Sequence, residues 1–192
     1  SGRLIIGLPG RSRRNLQPLA SPKPGIGTIR PTSDRLRESL FNVLAHAYDD
    51  VVEGARVLDL FAGTGAMAFE ALSRGAEFAL LVDDGTEARG LIRENQMALG
   101  VAGHSRVFRR DATKLGPIGP MAPFRLVFCD PPYRKGLGEK ALASARDGGW
   151  LEAGALVVLE EAAGVAVAMP EGFEVLEQRA YGETQVVLLR AA

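Results

Sequence analysis

Two short segments carry side chains that belong together chemically. In Val127-Phe-Cys-Asp-Pro-Pro-Tyr133 an aspartate, Asp130, precedes two prolines and an aromatic ring. Pro131 and Pro132 stiffen the turn and donate no N–H, which leaves their carbonyls free as acceptors. The Asp130 carboxylate and a backbone carbonyl of Pro131 are two acceptors that can take both N–H bonds of an exocyclic amine. The lone pair of such an amine is delocalised into its ring and is a poor nucleophile. Held by two acceptors, it turns toward an electrophilic methyl. The task is positioning more than acid–base chemistry, with the reacting atoms at about 3–3.5 Å. Asp130 also stabilises the transient positive charge on the amine, and Tyr133 offers a face on which a base removed from its helix can stack. The plain alternative is a turn with an incidental tyrosine.

The second segment, Val57-Leu-Asp-Leu-Phe-Ala-Gly-Thr-Gly65, reads as the end of a strand and the opening of a helix. Gly63 and Gly65, after Phe61 and Ala62, permit a tight turn and let a ligand touch backbone, with N–H donors at the helix start. Two cofactors fit. Gly63-Thr-Gly65-Ala-Met-Ala68 satisfies the loose dinucleotide form G-x-G-x-x-A, with Asp83 standing 20 residues after Gly63. Asp59 separates the two: a carboxylate beside a pyrophosphate is repelled, whereas the ammonium and sulfonium of S-adenosylmethionine suit it. Bracing of the glycine turn by hydrogen bonds is the alternative role for Asp59. Asp83 is placed to accept both ribose hydroxyls, or is a solvated acid at a strand end. Asp111, followed by Ala112, is a candidate to receive the adenine amino group, and Asp130 borders the same cofactor.

The elements that must carry these residues alternate. Leu36, Leu40, Phe41, Val43 and Leu44 fall at helical spacing behind a cap at Thr32 or Asp34, predicting a helix that ends near 47–50. Strands are predicted at 56–60, 78–82, 106–109, 125–129 and 155–160, with helices at 66–74, 86–99 and 137–146. Continuously apolar strands alternating with helices indicate a doubly wound α/β sheet. Strands at 173–179 and 184–190, flanking 180–183, read as a C-terminal antiparallel hairpin. Ligand sites in such sheets lie at the carboxyl ends of the strands, so Asp59 and Asp130 should face one crevice.

With 192 residues, 46% hydrophobic and 24% charged, the chain is one domain with a small appendage and a sizeable core. Its apolar stretches are too short to span a bilayer, and the N-terminus does not read as a secretory signal. The one cysteine, Cys129, lies inside an apolar strand and cannot form an internal disulfide, so a reducing, cytoplasmic setting is expected. His46 and His104 have no metal-ligating neighbours in sequence, and no metal is expected. Trp150 should pack on the sheet. The neutral net charge hides a division: residues 1–37 hold eight basic side chains against one acid, a net +7, and the rest balances it at −7. Residues 7–29, rich in Gly, Pro, Ser and Arg, read as a loop, hairpin or mobile arm. A basic arm on an acidic body suggests a localised polyanion partner, or a tail that keeps the chain in solution.

Arg30-Pro-Thr-Ser-Asp-Arg-Leu-Arg-Glu-Ser-Leu-Phe-Asn42, Leu58-Asp-Leu-Phe-Ala-Gly-Thr-Gly65, Asp111-Ala112 and Asp130-Pro-Pro-Tyr133, in this order and spacing, resemble the RsmD-like methyltransferases. The resemblance runs from about Arg30 to the C-terminal hairpin. It implies the Rossmann-like class I methyltransferase sheet of seven strands, S-adenosylmethionine as cofactor, and a guanine N2 in bacterial 16S ribosomal RNA as the methylated atom. Asp59, Gly63, Gly65, Asp83 and Asp111 match the family's cofactor positions, and Asp130 to Tyr133 its amine-binding motif. Arg30, Thr32, Arg35 and Arg37 match the segment that bridges arm and site. Residues 1–29 are expected to be a basic arm or hairpin, and 30–192 the methyltransferase domain. Arg3, Arg11, Arg13, Arg14 and Lys23 are then candidates for RNA phosphates, with Tyr133 and Arg134 at the base. The expected partner is 16S RNA within an assembling small subunit. Rival readings are a DNA adenine-N6 methyltransferase, a nicotinamide-dependent oxidoreductase and a non-catalytic RNA-binding assembly factor.

Overall fold

In the computed structural model the described residues are 34–192. The expected arm and the candidates Arg3, Arg11, Arg13, Arg14, Lys23, Arg30 and Thr32 lie outside them.

The described chain runs α1 (Asp34–Ala47), β1 (Arg56–Leu60), α2 (Ala66–Ser73), β2 (Phe78–Val82), α3 (Thr86–Leu99), β3 (Ser105–Phe108), β4 (Phe124–Cys129), α4 (Leu137–Asp147), β5 (Leu151–Ala162), β6 (Phe173–Tyr181) and β7 (Thr184–Ala191). Single 3-10 turns stand at Ala102–His104 and Ala112–Lys114. The seven strands form one sheet in the order β3-β2-β1-β4-β5-β7-β6, parallel except where β7 inserts antiparallel between β5 and β6. Strand side chains alternate between the two faces. Val57, Leu81, Leu126 and Phe128 pack with Leu40, Phe41 and Phe69 on one side; Leu58, Leu60, Val127 and Leu159 pack with Leu142 and Trp150 on the other. Trp150 is fully buried, stacked on Phe124 with its Nε1–H donated to the Gly116 carbonyl at 2.7 Å.

Most elements fall where their periodicity puts them, and the differences have local causes. β3 begins one residue earlier than expected because Ser105 pairs with Ala79 and ties its hydroxyl to the Val101 carbonyl at 2.7 Å. β5 is twice the expected length. Its first four residues are partly or fully exposed, and its end runs beyond the expected Glu160 to take in a second buried acid, Glu161, and Ala162. The hairpin turn narrows to two residues, with Gly182 at φ 62 in the first turn position, where a tight antiparallel turn takes glycine.

The topology also decides where a ligand can sit. β1 has β2 on one side and β4 on the other, so the chain reverses its direction of winding between β1 and β4. Their register places Asp59 beside Phe128 and Leu60 beside Cys129. The segments that follow, 61–65 and 130–133, therefore leave the sheet side by side at the crevice such folds use for ligands.

Candidate active site

The turn after β1 is built by backbone conformation. Phe61, Gly63 and Gly65 all take positive φ (59, 61 and 83), reversing the chain within five residues. Gly65 ends the turn and opens α2. A Cβ there would lie 2.4 Å from the Phe69 ring and 2.8 Å from Leu81, so this glycine is demanded by packing and by φ together. Gly65→Ala is expected to cost about 2–4 kcal/mol, strain and overpacking combined, read as a lowered Tm in thermal unfolding. A Tm equal to wild type would show that the turn relaxes freely. From α3, the buried Asn95 donates its side-chain amide to the Thr64 carbonyl at 3.0 Å and holds the turn from behind.

Three carboxylates stand at the ends of three strands. Asp59 is 3% exposed, and its Oδ2 accepts the N–H of Ala68, in the first turn of α2, at 3.3 Å. The bracing role and the ligand-facing role therefore coexist, since Asp59 also lines the cleft. Asp83 pins two loops: Oδ2 accepts the Gly63 N–H at 3.1 Å and Oδ1 the Gly85 N–H at 2.8 Å. A carboxylate has about four lone-pair sites, so acceptor capacity remains after both bonds. Asp130, half-buried, follows β4, with Pro131 buried behind it and Pro132 exposed.

Asp59, Phe61, Ala62, Gly63, Asp83, Asp130, Pro131 and Pro132 line one cleft of about 320 Å³. An adjoining cavity of about 240 Å³ shares Phe61, Asp83 and Pro132 with it and is completed by Asp111 and Ala112. No lysine or arginine among the described residues lines the larger cleft. Burial pushes the Asp59 carboxyl well above the ordinary 3.8; the Ala68 bond opposes this, and the charges of Asp130 and Asp83 add to it. Burial raises Asp83 too, against the pull of its bonds to Gly85 and Gly63. An acidic cleft whose described wall carries no lysine or arginine is suited to a cationic ligand, and the donor set fits the ammonium and sulfonium of S-adenosylmethionine.

The profile of the family described as Conserved hypothetical protein 95 matches residues 12–190. The ribosomal RNA small subunit methyltransferase D of Escherichia coli K12 is 42% identical over 141 residues, covering 72% of this chain and 67% of that protein. The protein of the same name from Haemophilus influenzae is 31% identical over 156 residues, 80% of this chain and 79% of that one. The solved yhhF chain from Escherichia coli superposes with a TM-score of 0.77 at 31% identity, covering 99% of this chain and 98% of that one.

The chain belongs to the RsmD-like methyltransferase family.

Within this class I methyltransferase fold, several RsmD-like positions sit differently from the sequence-based expectation. Gly65 does not line the cleft; it shapes the turn and leaves contact to Gly63. Asp111 is exposed and caps the 3-10 turn that follows: its Oδ1 accepts the hydroxyl of Thr113 at 2.7 Å and the Thr113 N–H at 2.9 Å. Those bonds hold its carboxyl below 3.8. Arg37, expected at RNA, is buried, with its guanidinium 2.9 Å from Asp34. The cause is helical spacing: 37, 40, 41 and 44 fall on one face, and that face of α1 enters the core. Arg35 and Arg134 are exposed. Tyr133 is not on the cleft wall; its hydroxyl lies 2.8 Å from Thr184 Oγ1 in β7. Thr64, Asn95, Glu161 and Thr184 also bear on the site, although the sequence motifs single out none of them. Of these only Glu161 left a signal, as half of an acidic pair closing an apolar run. Cys129 is buried, and burial raises its thiol well above the ordinary 9.0, so it does not act as a nucleophile.

Proposed function

We propose that this chain transfers a methyl group from S-adenosylmethionine to the exocyclic N2 amine of a guanine in 16S ribosomal RNA, presented within an assembling small subunit. One observation carries the reading: the amine acceptors at Asp130 and Pro131 share a cleft with the acidic floor formed by Asp59 and Asp83. The names of the relatives support ribosomal RNA of the small subunit as the substrate class. The resemblance supports guanine N2, and an amine whose two N–H bonds need two acceptors is consistent with it.

Each residue has a task. Asp59 faces the positive groups of the cofactor, and Asp83 takes its ribose hydroxyls. Phe61, Pro132, Asp111 and Ala112 enclose the adjoining cavity, which suits a flat adenine. Bound there, S-adenosylmethionine supplies an electrophilic methyl on a cationic sulfur. Asp130 and the Pro131 carbonyl accept the two N–H bonds of the amine, aim its lone pair, and compensate its developing charge. Tyr133 stacks on the extruded base, and Arg134 meets a nearby phosphate. Arg3, Arg11, Arg13, Arg14, Lys23, Arg30 and Arg35 supply further phosphate contacts and Thr32 a further RNA contact, so binding weakens steeply with salt.

Methyl transfer from labelled S-adenosylmethionine to unmodified small ribosomal subunits, with duplex DNA in parallel, tests the reading. Nucleoside digestion and mass spectrometry are expected to give N2-methylguanosine from the subunits alone. Methyladenine from DNA would replace the reading with a DNA methyltransferase. No label in either, with the cofactor still bound, would point to an assembly factor.

A further inference from the structure

The loop that follows the catalytic turn is gripped from outside the cleft. The Tyr133 hydroxyl is 2.8 Å from Thr184 Oγ1, 51 residues away in sequence. Thr184 opens β7, paired with Ala162 of β5 on one side and with Tyr181 of β6 on the other, so its backbone is held by both neighbours. The next loop residue, Arg134, adopts φ 63, a left-handed conformation unfavourable for any residue with a Cβ. Its N–H donates to Glu161 Oε1 at 3.0 Å. That oxygen also accepts the N–H of Ala162 at 2.6 Å, which orients the carboxylate from its own strand. Glu161 is only 4% exposed. A carboxylate buried on a strand carries a desolvation cost, and pairing with strand neighbours alone does not require one.

We propose that Thr184 and Glu161 are positioning residues for the substrate base. The threonine hydroxyl sets the tilt of the Tyr133 ring, and the glutamate holds the turn at Arg134, so the stacking face stands beside Asp130 before RNA arrives. This rests on the methyl-transfer reading, in which Tyr133 is that face. Neither residue lines the cleft, so neither touches cofactor or amine. Their effect passes through the loop, and preorganisation of this kind shows in substrate binding and turnover while cofactor affinity stays unchanged.

The chain has three tyrosines, Tyr48, Tyr133 and Tyr181, so uniform 3-fluorotyrosine labelling yields three fluorine resonances, and Tyr133→Phe identifies one by its loss. Thr184→Val is expected to shift and broaden the Tyr133 resonance, and Thr184→Ser to restore it. Glu161→Leu broadens it as well, whereas Glu161→Gln, which keeps an acceptor oxygen, leaves it near wild type. In steady-state transfer to unmodified small subunits, Thr184→Val raises KM for the subunit by about fivefold, the size of one hydrogen bond, with S-adenosylmethionine affinity unchanged. Adding Thr184→Val to Tyr133→Phe costs little more than Tyr133→Phe alone, because both remove the same bond. An unmoved Tyr133 resonance in Thr184→Val, or losses that simply multiply in the double variant, would overturn the inference while leaving methyl transfer intact. A wild-type protein that transfers no methyl to either substrate would overturn the functional reading and this role together.

Discussion

Asp130→Ala is expected to lower kcat for methyl transfer by about 10³-fold while S-adenosylmethionine still binds within about tenfold of wild type. Removing one preorganised group that meets charge developing in the transition state costs about 10²–10³ in related chemistry. Here the same group also aims the lone pair, which places the loss at the upper end. Both acids line the cleft, but Asp130 is half-buried whereas Asp59 is 3% exposed. Cofactor binding therefore depends on Asp59 more than on Asp130. Asp130→Asn separates the two contributions: its amide oxygen still accepts one N–H bond and aims the lone pair, while the charge that compensates the amine is gone, so it should recover part of the activity lost in Asp130→Ala. Single-turnover transfer with saturating cofactor reads the chemical step, and calorimetric titration reads binding. Turnover near wild type in Asp130→Ala would refute the two-acceptor arrangement.

Asp59→Asn should do the reverse at two levels. Losing a buried carboxylate that faces a cationic ligand is expected to weaken S-adenosylmethionine binding by about 100-fold. The free protein, however, should become more stable. Burial raises the Asp59 carboxyl in the folded state above its unfolded value near 3.8. Between those two values the folded chain binds more protons than the unfolded chain, so stability falls as pH rises through that window and stays reduced above it. Below the unfolded value both states are protonated and nothing is lost. The substituted asparagine carries no charge to bury and still offers an oxygen to the Ala68 N–H. A gain of about 1 kcal/mol would raise Tm by about 2–4 °C in a domain of this size. The pH profile supplies a second check: wild-type affinity for the cofactor should fall as pH drops through the raised value, and the Asp59→Asn profile should be flat there. An Asp59→Asn variant that is both less stable and fully competent to bind would remove the electrostatic account of the cleft.

Local patterns carry far in this chain. Strands at 56–60 and 78–82 and the helix at 86–99 follow their apolar periodicity to the residue, because each is decided by neighbours within one or two turns. Arg37 shows the limit of reading a residue by its chemistry alone. A basic side chain in a basic segment invites a phosphate, yet its spacing to Leu40, Phe41 and Leu44 puts it on the buried face of α1, where Asp34 neutralises it. β5 shows the opposite limit. Apolar patterning cut the strand short at Glu160, although β7 continues the pairing through Glu161 and Ala162.

The chemical groups and the local frame of each are legible in the sequence: Asp59 and Gly63 on one strand-to-helix turn, Asp130 and its prolines on another, and the hairpin at the end. Those depend on short-range sterics and periodicity, which neighbouring residues specify. The sequence leads to the expectation that Asp59 and Asp130 face one crevice; the tertiary fold supplies the means, placing β1 and β4 side by side in register so that the two turns share one cleft. It also decided that no lysine or arginine among the described residues lines the cleft with these acids, and that Thr184 reaches Tyr133 across 51 positions. Contacts of that kind form when helices and strands bury their apolar faces against one another. The choice among pairings is made by the whole sheet, and no segment contains it.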